Sequence, residues 1–217
     1  MDFAANCFLG VYLGVMLLHL YCCLKNCGRM RAVTKILLMP LLAGFYLLKT
    51  GRFDLTALAI LFGWGGDILL LFSERQPCFL GGLSSFLLGH ICYTAVLWNR
   101  SGGVSGAGYG AAVSAGVLLL IAAAAYASLS RYVGAMKLPV VAYLTAIAVM
   151  AFAASLVMLK SPGLAGTLVL AGAACFLLSD YVLARGQFIR KYRLGNFVVM
   201  LTYTAAQLLL VLGLVML

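Results

Sequence analysis

One apolar run follows another along almost the whole chain, and that succession is what most limits its fold. Runs of roughly 17 to 25 apolar residues have the length a helix needs to cross about 30 Å of hydrocarbon. Only 9% of the 217 residues are charged, against about 25% in a soluble domain, so too little charge is present to cover a water-facing surface. In lipid each backbone group must be satisfied within its own segment, which leaves helices as the spanning form. The runs predict eight helices, near 3–24, 36–49, 55–72, 79–98, 107–127, 139–158, 165–184 and 196–216. The expectation is an all-α, polytopic membrane protein. The second helix is short and has room to extend back into "RAVTK". Connections such as "TGRFD", "SERQPC" and "KSPG" are too short to be domains, so residues 1–217 read as a single integral membrane domain. The start "MDFAANC" carries an acid where a signal peptide has a basic region, so the first helix is expected to be retained.

The net charge of +10 suggests nucleic acid until its distribution is considered. Connections after odd-numbered helices hold eleven basic residues, including Lys25, Arg29, Arg31 and Lys35 after the first and Arg185, Arg190, Lys191 and Arg193 after the seventh. Connections after even-numbered helices hold four. The positive-inside rule then places the odd connections in the cytoplasm and both termini on the far side. There the cations meet anionic headgroups, and no nucleic-acid partner is needed to explain them.

Seven cysteines, an odd number, do not read as a disulfide framework. His19, Cys22, Cys23 and Cys27 fall on one helical face, and thiolate and imidazole are zinc ligands. Their spacing is not that of a known zinc module, and cysteine packs readily as a small hydrophobe. No metal is assigned to them.

Two aspartates stand out in this apolar background: Asp67 in "GWGGDILLLF" and Asp180 in "FLLSDYVLA". Each is expected a turn or so from the cytoplasmic end of its helix, roughly 6–8 Å deep at about 1.5 Å per residue. Asp67 shares a face with Gly63, Gly66 and Glu74, and glycines there allow close approach of a neighbouring helix or a lipid chain. Asp180 shares one with Phe176 and Gln187; His90 shares one with Phe86, Gly89 and Tyr93. On the last helix Asn196, Met200, Tyr203 and Gln207 form one stripe. Together these residues outline a polar chamber opening toward the cytoplasmic leaflet. Ionisable groups in a membrane are costly and usually mark a site. The plainer readings are a protonated carboxyl bonded to a neighbouring helix, a histidine serving as an interhelical hydrogen-bonder, wall positions for Tyr203 and Gln207, and a snorkelling anchor for Lys35. A short internal echo pairs Gly66-Asp67 with Ser179-Asp180, each followed one helix later by Tyr-Thr-Ala. It is compatible with two parallel four-helix repeats.

These residues resemble the YhhN family of eight-helix membrane proteins, which includes the animal lysoplasmalogenases. The resemblance covers nearly the whole length. It rests on "TKILLMPLLAG", "GGDILLLF", "FLGGLSSFLLGHICY", "LPVVAYLTAIAVM", "CFLLSDYVLA" and "TYTAAQLL", in that order. No one motif is strongly specific; their order and spacing are. The family's paired acids fall on Asp67 and Asp180 and its histidine on His90. Its Lys, Tyr and Gln positions fall on Lys35, Tyr143, Tyr203 and Gln207. The cysteine cluster is outside the family pattern.

The resemblance implies hydrolysis of the vinyl-ether bond of a lysoplasmalogen, an ether lysophospholipid, to a fatty aldehyde and a glycerophospho-base. The residues suit that chemistry. Protonating the outer alkene carbon leaves an oxocarbenium ion, to which water adds before the hemiacetal collapses. A carboxylic acid beside a carboxylate supplies proton and counter-charge, as the two carboxyls of glycosidases do around a similar cation. Asp67 and Asp180 are the expected catalytic pair, in either order. His90, Lys35, Tyr93, Tyr143, Tyr203 and Gln207 are expected to position substrate, with no cofactor. Two other classes stay open: a proton-coupled transporter, which ordinarily shows broken helices at matching positions, and a non-catalytic lipid-binding protein.

Overall fold

The computed structural model describes residues 2–217. It contains eight α-helices: α1 Asp2–Lys25, α2 Gly28–Thr50, α3 Leu55–Leu70, α4 Gln76–Ser101, α5 Gly108–Leu129, α6 Lys137–Lys160, α7 Leu164–Phe188 and α8 Gly195–Met216. A 3₁₀ turn, Gly134–Met136, precedes α6, and among the described residues there is no strand. Seven helices are long and apolar enough to cross a membrane; α3 is the shorter one. The protein is an integral, multi-pass, all-helical membrane protein.

The short helix is the third, not the second as the apolar pattern suggested. Helix α2 extends back to Gly28 because only Asn26 and Cys27 separate it from α1, with Asn26 making the reversal at φ 58°. Asparagine is among the few residues that tolerate that left-handed conformation. Arg29, Arg31 and Lys35 therefore ride on the first turns of α2 rather than in a loop. Helix α3 has 16 residues, about 24 Å of rise. Beyond it Leu71, Phe72 and Ser73 each donate to the carbonyl three residues back, and such tight turns add about 2 Å per residue. That continuation restores most of the missing length.

The helices form two compact units, one ending at Tyr93 and one beginning at Thr94. In the first, α1 packs on α2 and α2 on α3. Asp54 caps α3, its Oδ1 accepting from Thr56 N at 2.9 Å and Ala57 N at 3.3 Å, while its Oδ2 accepts from the Tyr46 hydroxyl at 2.7 Å. Such a cap contributes about 1 kcal/mol. Ser85 of α4 donates to the Phe62 carbonyl of α3 at 2.6 Å. A Cβ built on Gly66 would run into the Phe86 ring, so the α3–α4 approach depends on that glycine.

In the second unit α7 packs along α8, α6 on α7 and α5 on α6. A Cβ on Gly172 would lie 2.9 Å from Leu210 N and 3.0 Å from Ala206 O. Backbone contact of that kind is how helices associate where lipid removes the hydrophobic drive between them. Helix α6 is the most enclosed, burying Tyr143, Ile147, Met150 and Leu156. Helix α5 buries only Ala111 and Leu129 along its length, and Val113, Val117, Leu119, Leu120 and Ile121 are exposed. In a membrane those side chains meet acyl chains rather than water.

Candidate active site

Proline 40 lies inside α2 and has no N–H to give the carbonyl four residues back, that of Ile36. The indole Nε1 of Trp64, on α3, donates to that carbonyl at 2.9 Å. The residue before Ile36 is Lys35, and one turn beyond Trp64 is Asp67. The bond thus joins the two helices beside an ion pair: Lys35 Nζ lies 3.4 Å from Asp67 Oδ1, their side chains 14% and 2% exposed. Lys35 is turned inward onto an acid, not outward to the interface as a snorkelling lysine would be.

Other polar groups gather in the same unit. Tyr12 of α1 is fully buried and within electrostatic reach of Asp67. Tyr93 and His90 are buried on one face of α4 with Phe86. The sequence pattern passed over Tyr12; a lone tyrosine amid "LGVYLGVML" was its one signal. Glu74 does not extend the Asp67 face, because α3 ends at Leu70, and Glu74 is exposed.

In the second unit Asp180 is held by α6: the Tyr143 hydroxyl donates to its Oδ2 at 2.7 Å. Tyr143 is buried and Asp180 half-buried. Tyr203 and Gln207 are buried on α8, with the Tyr203 ring edge-on to Phe176 at 5.8 Å between centroids. Asn196 and Gln187 are exposed, so the buried part of the α8 stripe begins at Met200. Helix α7 runs on to Phe188, which puts Asp180 about two turns from its end, whereas Asp67 is in the last turn of α3. Asp180 therefore lies farther from the end of α7 than Asp67 does from the end of α3. Each acid is nonetheless held by a side chain from the helix before it, Lys35 of α2 and Tyr143 of α6.

The His19 cluster is built differently. His19 Nδ1 lies 2.8 Å from Thr34 Oγ1, and its Nε2 is 3.5 Å from Cys23 Sγ, so Thr34 and Cys23 both contact the ring. Among the described residues, no group of three or more His, Cys, Asp or Glu side chains is placed to hold a metal ion.

A model of the YhhN family matches residues 30–214. The matched stretch takes in Lys35, Asp67, His90, Tyr93, Tyr143, Asp180, Tyr203 and Gln207, and leaves out His19, Cys22, Cys23 and Cys27. No curated protein and no solved structure matches the chain significantly.

Proposed function

Because the chain belongs to the YhhN family, we propose that it acts on lipids and that its reaction is hydrolysis of the vinyl-ether bond of lysoplasmalogens, with Asp67 and Asp180 supplying the acid–base chemistry. The observation that carries this reading is the pair of intramembrane aspartates, Asp67 buried and Asp180 half-buried, each held by a proton-bearing partner, Lys35 and Tyr143. Intramembrane acids of this kind default to function.

The two carboxyls differ in what a proton transfer would disturb. Protonating Asp67 breaks a buried ion pair, and losing one partner of such a pair costs roughly 3–5 kcal/mol. Asp180 accepts a hydrogen bond from the Tyr143 hydroxyl, and a carboxyl oxygen goes on accepting that bond whether or not the group carries a proton. Asp180 is therefore assigned the proton donor and Asp67 the fixed negative charge. Asp180 delivers its proton to the outer alkene carbon, and the C=C electron pair forms the new C–H bond. The resulting oxocarbenium ion takes up water at the carbon next to oxygen. Loss of a proton from that water restores the acid, and collapse of the hemiacetal releases aldehyde and the glycerol hydroxyl. His90, Tyr93, Tyr203 and Gln207 serve to position the lipid.

The test is aldehyde release from a lysoplasmalogen by the purified full-length chain, run in water enriched in heavy oxygen. Protonation of the alkene leaves the glycerol fragment unlabelled, because its C–O bond is never broken. No aldehyde would favour a transporter or a lipid-binding protein, and label in the glycerol fragment would reject the oxocarbenium route.

A further inference from the structure

At one end of the second unit a half-buried arginine packs against tyrosine rings. Arg185, in the last turn of α7, has its guanidinium carbon 5.8 Å from the ring centroids of both Tyr181 and Tyr192. Its Nη1 reaches the Tyr181 hydroxyl at 3.5 Å, beyond the ordinary N–H···O range, and that hydroxyl lies 3.2 Å from Ser128 Oγ of α5. Its Nε is buried and, among the described residues, has no hydrogen-bond partner.

The unpartnered Nε costs free energy unless something answers it. A buried donor with no partner carries a desolvation penalty of about 1–3 kcal/mol, more when charged. Aromatic faces hold a guanidinium by its flat side, which leaves the N–H donors in its plane for an acceptor. No ion pair joins Arg185 to a carboxylate among the described residues. Arg131, Arg190, Lys191 and Arg193 in the neighbouring connections and Lys137 at the start of α6 are all exposed, whereas Arg185 is half-buried. Beneath it Leu129, Val133 and Val140 form a buried cluster against which Ala184, Phe188 and Ile189 pack, giving the last turn of α7 a firm seat. An arginine held against aromatic rings with an unanswered N–H suits an oxyanion acceptor, above all a phosphate.

We propose that Arg185, clamped between Tyr181 and Tyr192, is a binding site for the phosphodiester of a lipid headgroup. The site rests on the lipid-acting reading above for its choice of ligand. The phosphate belongs either to the single-chain substrate or to a bilayer phospholipid. Both present the same diester at the end of the helices, and the experiment separates them.

Binding is measured to the purified full-length chain in detergent, with a saturated 1-O-alkyl lysophospholipid as probe. That lipid has no vinyl ether to cleave, so the result is independent of turnover. The matching 1-O-alkylglycerol, which lacks the phosphate, is the control. Arg185→Gln should weaken the lysophospholipid roughly 10-fold or more, equivalent to about 1.4 kcal/mol or more, and leave the alkylglycerol unchanged. Tyr192→Ala, in the exposed connection, should weaken the same lipid while Tyr192→Phe retains it. Removing two exposed cations together, Arg190→Gln with Lys191→Gln, should have less effect than Arg185→Gln alone. Competition by a diacyl phosphatidylglycerol would assign the site to the bilayer, and its absence to the substrate. Wild-type affinity for the lysophospholipid in both Arg185→Gln and Tyr192→Ala overturns the proposal. So does an equal loss of alkylglycerol binding in a folded Arg185→Gln protein. Should Arg185→Gln not fold, the two Tyr192 variants decide it alone.

Discussion

The indole of Trp64 donates to the carbonyl of Ile36 at 2.9 Å, the carbonyl that Pro40 leaves without its helical partner. A break in one helix is thus answered by a side chain from the next, beside the Lys35–Asp67 pair. Trp64→Phe should destabilise the protein by roughly 0.6–1.7 kcal/mol, the range of interhelical hydrogen bonds in membranes. In a Pro40→Ala background, where the backbone supplies its own N–H, the same change should cost less. A double-mutant cycle of thermal unfolding in detergent measures the difference, and equal costs in both backgrounds would show that the indole does not compensate for the proline.

Lys35→Met should be strongly destabilising, by roughly 3–5 kcal/mol, because it removes the ammonium that pairs with the buried Asp67 carboxylate. Adding Asp67→Asn should recover much of that loss, since an amide needs no counter-charge. Unfolding of the two single variants and the double variant checks this. Independent, additive effects would make Lys35 an interface anchor after all.

Asp67→Asn and Asp180→Asn should each abolish nearly all aldehyde release while the protein remains folded, since asparagine keeps the shape and loses the acid. The double variant should be little worse than either single, as for groups acting as a unit. His90→Ala and Tyr143→Phe should be milder, because both residues are assigned to positioning. Full turnover in either asparagine variant would remove the two-acid mechanism.

Both ends of the chain should face away from the cytoplasm, given the eleven-to-four division of basic residues between alternate connections. Reporter domains fused after residue 217 test it: one that is active only outside the cytoplasm should report, and one active only inside should be silent. The reverse pattern would also turn Arg185 and its tyrosines to the opposite leaflet.

The spanning helices were legible in the sequence because their cause is local. Lipid obliges each segment to bond its own backbone, so an apolar run long enough to cross is a helix wherever it packs. The misplacements were local as well. Helix α2 begins earlier than its apolar run because Arg29 and Arg31 are good helix formers and only Asn26 and Cys27 separate it from α1. Helix α3 stops at Leu70 and continues as tighter turns that hydropathy does not register. Asp67 and Asp180 were equally visible, as charges where a membrane tolerates few.

Tertiary structure alone decided what each polar group meets. Helical periodicity states which residues share a face, but not which neighbour that face finds or at what height. In lipid that register is set by small-residue contacts such as Gly172 on the α8 backbone, not by burial of apolar surface. Lys35 on Asp67, Tyr143 on Asp180 and Trp64 on Ile36 all depend on it. Each joins residues that are individually unremarked in the sequence or reads differently there, because a hydrogen bond requires donor and acceptor atoms from two helices to come within about 3 Å and a single helix carries no record of its partner.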